Sequence, residues 1–253
     1  MSRNVRLIIV YGMLAAAVVA VFFMPPIEQD SSYHHFADKR QFFGVPRALN
    51  VLSNLPFLFI GLWGMRVMLD RCTIATRIER TAYFILALGV TLTCLGSAYY
   101  HADPSNARLV WDRLPMSLAF VTLSVAVVSE RISQVAGRLL LWPLLLAGLG
   151  SVAYWRWTEA QQHGDLRAYV LVQFLPLLAI PAIILLFPAK HTHTGYIFIA
   201  IGFYTSAKAM EALDHQVYDF TGFVSGHTIK HLLAAAAAWW LIRMVQVRQP
   251  AQQ

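Results

Sequence analysis

Apolar residues divide the chain into eight long stretches that are separated by short polar loops. Each stretch approaches the roughly 20 apolar residues that a membrane-spanning helix needs. The pattern therefore predicts an all-α polytopic membrane protein that forms a single domain over residues 1–253. The stretches are residues 6–24, 47–69, 81–100, 113–130, 138–155, 168–188, 195–213 and 227–246.

The first stretch, residues 6–24, has two possible interpretations. Its basic start and apolar middle also fit a secretory signal peptide. Residues 21–24 read Val-Phe-Phe-Met, however, and are bulkier than the small residues of a cleavage site. We therefore expect a retained spanning helix that ends at the two prolines of residues 25–26.

Composition supports the membrane class. The chain is 58% hydrophobic and 13% charged, whereas soluble domains carry about 25% charged residues. Its net charge of +7 is spread over short loops, which argues for membrane topology and against nucleic-acid binding. Lysines and arginines are more numerous on the side of the termini, so both termini are predicted to be cytoplasmic. Cys72 and Cys94 are too few for a disulfide framework.

Residues 25–46 form the longest polar segment between the apolar stretches. The pattern predicts a solvated loop with an interfacial turn around Phe42 and Phe43. His34 and His35 are adjacent and cannot lie on one helix face, so we interpret them as solvated side chains.

Three polar positions fall at the ends of apolar stretches. His101 ends the third stretch, Asp112 begins the fourth and His227 begins the eighth. Because the chain crosses the membrane at each stretch, all three lie at the same membrane face, opposite the termini. Sequence-distant polar groups at one depth are what a single active site requires.

The histidines have the spacing of metal ligands. His227 and His231 are four residues apart, so a helix presents both imidazoles on one face, where they can bind one zinc. Position 228 is Thr, which excludes a His-Glu-x-x-His protease motif. With His101 as third ligand, the set predicts a catalytic zinc with one open position.

Two further residues are candidates for the chemistry. Ser97 lies one helical turn before His101. Asp112 is a carboxylate at the right depth, where it can act as general base or orient a histidine. Asp103 is an alternative, but it precedes Pro104, which is typical of a turn.

The seventh stretch contains charged residues that are unusual in a membrane. Lys208 and Glu211 are three residues apart and can form an ion pair, and Glu211 and Asp214 repeat that spacing. The three residues can instead bind a substrate head group or support the zinc ligands. Tyr100 is a further candidate for this supporting role. Lys230 is expected to point away from the histidines and to pair with a carboxylate of the seventh stretch.

Three motifs resemble those of the alkaline ceramidase family, which belongs to the CREST superfamily of membrane hydrolases. Residues 96–101 are similar to its Gly-Ser-x-x-Phe-His segment, and residues 112–116 are similar to its Asp-Glu-Leu-Pro-Met segment. Residues 50–54 resemble its Asn-x-x-Ser-Asn motif. The similarity spans about residues 38–245, nearly the whole of the predicted helical region.

The resemblance implies a seven-helix core over residues 47–246, with residues 6–24 as an extra N-terminal helix. It also implies an intramembrane zinc-dependent hydrolase that cleaves ceramide-like lipids to a fatty acid and a sphingoid base. The implied roles are zinc ligation by His101, His227 and His231, acid–base catalysis by Asp112, and an auxiliary role for Ser97.

Residues 25–40 contain acidic residues but no Trp, so they do not reproduce the calcium segment of the eukaryotic members. Ca²⁺ binding and the exact lipid therefore stay open. One alternative function is a zinc-containing membrane receptor or scaffold of the adiponectin-receptor type. A transporter is a third possibility, against which the clustering of polar groups at one face and the lack of repeats both count.

Overall fold

The computed structural model describes residues 1–70 and 76–251, and over these residues the fold is all-helical. Arg71, which contributes to the predicted loop charge, and Cys72 lie outside the described residues. A short 3-10 helix covers Ser31–His34. The α-helices are α1 (Arg3–Phe23), α2 (Ala48–Leu52), α3 (Leu55–Leu69), α4 (Arg77–Ala102), α5 (Asn106–Arg131), α6 (Gln134–Ala160), α7 (Arg167–Leu186), α8 (Gly195–Ala212), α9 (Asp214–Thr221) and α10 (Gly226–Val247).

Within the described residues, six helical segments are long and apolar enough to cross a membrane. They are α1, α2 together with α3, α4, α5, α6 and α7. The seventh and eighth predicted stretches form α8 and α10 but are not among the six, because Lys208, Glu211 and Lys230 reduce their hydropathy. The membrane class is therefore supported, while the eight spans, the seven-helix core and the cytoplasmic termini stay predictions.

The second predicted stretch is divided by a turn. Ser53 and Asn54 separate α2 from α3, and both side chains are buried. The Asn54 side chain donates a hydrogen bond to the carbonyl of Asn50 at 2.8 Å, which satisfies a backbone group that the turn leaves free. The turn places the Ser53 hydroxyl against α10.

Two glycines let backbones meet at the end of the bundle that contains the histidines. A Cβ atom at Gly96 of α4 would overlap the carbonyl oxygen of Trp111 in α5. A Cβ at Gly226 would lie 2.8 Å from the Cα of Asp214, closer than a van der Waals contact. Both positions therefore require the smallest residue.

The opposite end of the bundle is joined by a buried ion-pair network. Arg248 follows α10 and is 1% exposed. Its guanidinium donates to Glu79 of α4 at 2.9 Å and to Glu130 of α5 at 3.2 Å. His191 is also buried here, with Nδ1 3.6 Å from a carboxylate oxygen of Glu130.

Helix α1 packs on the outside of the bundle. Val10 is its buried residue, and its principal neighbour is α7. Arg167, at the start of α7, donates to the carbonyl of Met24 at 2.8 Å. The extra N-terminal helix therefore lies apart from the histidines.

Candidate metal centre

Helices α4 and α10 bring together the three histidines that the sequence selected. His101 lies in the last turn of α4, while His227 and His231 lie one turn apart at the start of α10. Their ring centroids are 4.7 to 4.8 Å apart, and all three residues are buried. One nitrogen from each ring falls within 4.8 Å of the others, so the group can hold a metal ion.

The nitrogen positions fit a tetrahedral ion. Nε2 of His101 and Nε2 of His227 are 3.2 Å apart. Ligands that lie about 2.05 Å from Zn²⁺ at tetrahedral angles are themselves roughly 3.3 Å apart. Nε2 of His231 has no hydrogen-bond partner among the residues that the structure describes, which leaves its lone pair available to an ion.

Ser53 orients the third ligand. Nδ1 of His231 is 2.7 Å from the Ser53 hydroxyl oxygen, and that hydroxyl donates to the carbonyl of Asn50 at 3.2 Å. In the tautomer that leaves the Nε2 lone pair free for a metal ion, Nδ1–H donates to the Ser53 hydroxyl oxygen. Such support is common for histidines that bind metals. No role was predicted for Ser53; its only signal in the sequence was the resemblance of residues 50–54.

Asp214 positions the start of α10. One carboxylate oxygen accepts from the backbone N–H of His227 at 2.7 Å, and the other accepts from the N–H of Ala37 at 2.9 Å. This aspartate was a candidate for substrate binding or for a supporting role at the zinc. Both of its oxygens accept from backbone groups that hold the site together, which agrees with the supporting role.

Phe36 covers the histidines, which corrects the expectation of a solvated loop. Its ring centroid lies 4.6 Å from that of His101 and 4.5 Å from that of His227. His34 is also engaged, since its ring nitrogens lie 2.8 Å from the Tyr100 hydroxyl and 2.8 Å from the Asn106 side-chain oxygen. The polar segment folds over the site because its aromatic residues have a buried surface to pack against.

Charged groups hold the same segment at the water-facing end. The Arg40 guanidinium pairs with Asp38 at 2.8 Å and stacks over the ring of Phe223 at 4.8 Å. Burial raises the pKa of Asp38, but hydrogen bonds from Arg40 outweigh this effect and hold the pKa below its ordinary value. The predicted turn is present as a bridge between Phe42 and Val45.

A cavity of about 250 Å³ extends from His231 into the bundle. Ser97 and Asp112 lie on its wall, and their side chains are hydrogen-bonding partners. His231 also lines the cavity, whereas Tyr100 and Asp214 are not among the described residues of its lining. The polar lining includes Ser97, Asp112, Arg113, Gln173, Lys208, Glu211, Lys230 and His231. The apolar lining includes Phe57, Leu86, Val90, Met116, Phe120 and Leu241.

The charged residues of α8 and α10 meet at the polar end of this cavity. Glu211 pairs with Lys208, as its spacing predicted, and with Lys230 at 2.6 Å. Tyr33 donates to the same carboxylate at 3.0 Å. The predicted orientation of Lys230 was wrong: its ammonium lies 3.4 Å from Nε2 of His227, because the long side chain bends back along the helix.

Asp103, the alternative to Asp112, has the role of a turn residue. It ends α4 and pairs with Arg108 at 3.2 Å, and its side chain is 72% exposed. Asp112 is therefore the carboxylate of this region that reaches the cavity.

The chain matches no protein-family model, and no curated protein is detectably similar to it. The function of this chain therefore has to be inferred from the geometry of the site.

Proposed function

We propose that the protein is an intramembrane zinc-dependent amide hydrolase that cleaves a ceramide-like lipid to a fatty acid and an amine. The observation that carries this proposal is the position of the three buried histidines. One of them, His231, lines the polar end of an apolar cavity whose wall also presents a carboxylate. The apolar part would take an acyl chain, and the amide carbonyl would then lie at the polar end beside the histidines.

His101, His227 and His231 would hold the zinc. Three protein ligands with an open fourth position are typical of catalytic zinc sites, whereas structural sites are normally closed by four. When bound, Zn²⁺ supplies Lewis acidity and makes a water molecule more acidic.

Asp112 would move the proton. As general base, its carboxylate takes a proton from the attacking water while the new C–O bond forms at the acyl carbon. It then delivers that proton to the nitrogen as the C–N bond breaks, so that a fatty acid and a free amine leave. The Ser97 hydroxyl orients the carboxylate through their hydrogen bond, and the apolar wall excludes other water.

A zinc-containing receptor or scaffold is the second candidate. The observation that favours it is Phe36, whose ring covers two of the histidines and limits access to them. A site of this kind would use zinc to hold α4 against α10 and would have little or no hydrolase activity.

The metal is tested first. The full chain, purified in detergent without chelators, is expected to contain about one zinc per chain by elemental analysis, and His231→Ala is expected to lose it. His163→Ala, which changes an exposed loop histidine, serves as the control and should keep the zinc. A folded sample that contains no metal would remove the basis of both candidate functions.

Activity separates the two candidates. Wild-type protein is expected to release fatty acid from at least one member of a panel of ceramides and other N-acyl amides. Asp112→Asn should reduce the rate by about 10²–10⁴-fold, the usual contribution of a general base, while retaining zinc. If zinc is present but no lipid is cleaved, the receptor or scaffold is the better assignment. Undiminished cleavage by Asp112→Asn would exclude Asp112 as the base.

A further inference from the structure

Arg113 is a buried cation on the cavity wall that the reaction does not use. It is 6% exposed, and it lines the cavity beside Asp112. One terminal nitrogen, Nη2, donates to the side chain of Gln29. The other, Nη1, has no hydrogen-bond partner, and Arg113 forms no ion pair, within residues 1–70 and 76–251.

Aromatic rings hold this guanidinium in place. Its central carbon lies 4.2 Å from the ring centre of Trp155, 4.9 Å from that of Tyr169 and 5.9 Å from that of Tyr33. Cations are attracted to the faces of aromatic rings at such distances. Arg113 is therefore fixed before any ligand arrives, and its planar fork is suited to carboxylates and phosphates.

The charges at the polar end of the cavity do not balance. Lys208 and Lys230 share the carboxylate of Glu211, and Asp112 is hydrogen-bonded to Ser97. The lining thus includes three cationic side chains against two carboxylates. Asp112 lies within electrostatic reach of Lys230 and Arg113, so one positive charge is left over, and among the described residues Arg113 is the lining cation that forms no ion pair. A buried unpaired charge is costly, and an anion supplied by a ligand would remove that cost.

We propose that Arg113 is a specificity-determining residue that binds an anionic group on the amine side of the acyl amide. This inference rests on the proposed function, because the apolar part of the cavity is assigned to the acyl chain. The groups at the polar end then face the carbonyl and the atoms beyond it. The preferred substrates are therefore N-acyl amides with a carboxylate, phosphate or sulfonate on the head group, in preference to neutral ceramides.

Binding tests the inference without requiring hydrolysis. N-palmitoylglycine and N-palmitoylethanolamine are matched in size. The first ends in a carboxylate, and the second ends in a neutral hydroxymethyl group. Their affinities for the full chain are measured by calorimetry in non-ionic detergent. Wild-type protein is expected to bind the carboxylate lipid about tenfold or more tightly, and Arg113→Gln should abolish the difference. Ceramide and its phosphate ester form a second matched pair. Comparing the two pairs shows whether Arg113 favours a phosphate or a carboxylate.

Arg108→Gln is the matched control. It removes one positive charge from the same helix, but at a half-buried position that pairs with Asp103. It should keep the preference, which separates binding at Arg113 from attraction of anionic lipid to a chain of net charge +7. If Arg113→Gln does not fold, Arg113→Lys retains the charge without the planar fork and should weaken the preference several-fold.

Three results would overturn the inference. The first is equal affinity of the wild type for both members of each pair. The second is a preference for the anionic lipid that survives in Arg113→Gln. The third is binding of free palmitate that depends on Arg113 as strongly as binding of N-palmitoylglycine does. The last result would assign Arg113 to the product carboxylate. Failure of the proposed function has a different signature, since the binding preference would persist while no fatty acid is released.

Discussion

The Ser53 hydroxyl determines which nitrogen of His231 faces the other histidines. With the Ser53 proton on the Asn50 carbonyl, the hydroxyl accepts from the imidazole, and His231 then has its proton on Nδ1. A single hydroxyl therefore sets both the ring orientation and the tautomer. Without the hydroxyl, the His231 ring could rotate, or its proton could move from Nδ1 to Nε2, while all three histidines remain present.

We predict that Ser53→Ala lowers zinc affinity by about 10–100-fold, the usual effect of removing a partner of a ligating histidine. The dissociation constant is measured by competition with a chromophoric chelator. Ser31→Ala changes an exposed serine of the 3-10 helix and should have no effect. Equal affinity in the two variants would show that Ser53 does not orient His231.

At the scale of helices, the contact of α4 with α5 brings the carboxylate to the cavity. Gly96 allows the α4 backbone to touch the Trp111 carbonyl, next to Asp112. Ser97 follows Gly96 and Asp112 follows Trp111, so their side chains are close enough to form a hydrogen bond. A side chain at position 96 would separate the helices where the two residues meet.

We predict that Gly96→Ala destabilises the fold by about 1–3 kcal/mol, as is common for an overpacked position, and that it lowers any Asp112-dependent hydrolysis. Gly150→Ala is the matched control, because it also lies in a helix but a Cβ there has no neighbour within 4 Å. Helix propensity alone should make that control about 0.5–1 kcal/mol more stable. Denaturant unfolding in detergent measures both changes; a gain of stability in Gly96→Ala would contradict the close contact.

Much of the helical layout follows from the apolar pattern, and helical spacing predicts the pairing of His227 with His231. Topology adds His101, because alternate crossings place the ends of the third and eighth stretches at one face. Phe36 could not be identified in this way, since it lies in a polar segment and its role depends on a tertiary contact. Ser53 was missed for a similar reason: the turn between α2 and α3 lies within one continuous apolar stretch.

Across the whole molecule, α10 is fixed at both of its ends. Asp214 accepts from the backbone of His227 at the start, and Arg248 joins Glu79 and Glu130 just after the end. The histidines therefore lie at one end of a helix whose other end is anchored by buried charges. A substitution at the Arg248 end should therefore change stability without touching the histidines.

We predict that Arg248→Met destabilises the protein by about 3–5 kcal/mol, since it leaves buried carboxylates without their partner. Zinc content below the unfolding temperature should be unchanged. Thermal unfolding measures the loss, and Arg243→Met, at a site whose side chain pairs with Gln246, should have a small effect. Adding Glu79→Gln to Arg248→Met should restore part of the stability; a further loss would show that uncompensated charge is not the cause.

The division of the histidines between α4 and α10 has a consequence for biosynthesis. His101 and His227 are separated by 126 positions, so α10 leaves the ribosome long after α4. A nascent chain that stops before residue 227 carries only one of the three histidines. A metal ion that needs all three can therefore bind only after α10 has been placed beside α4.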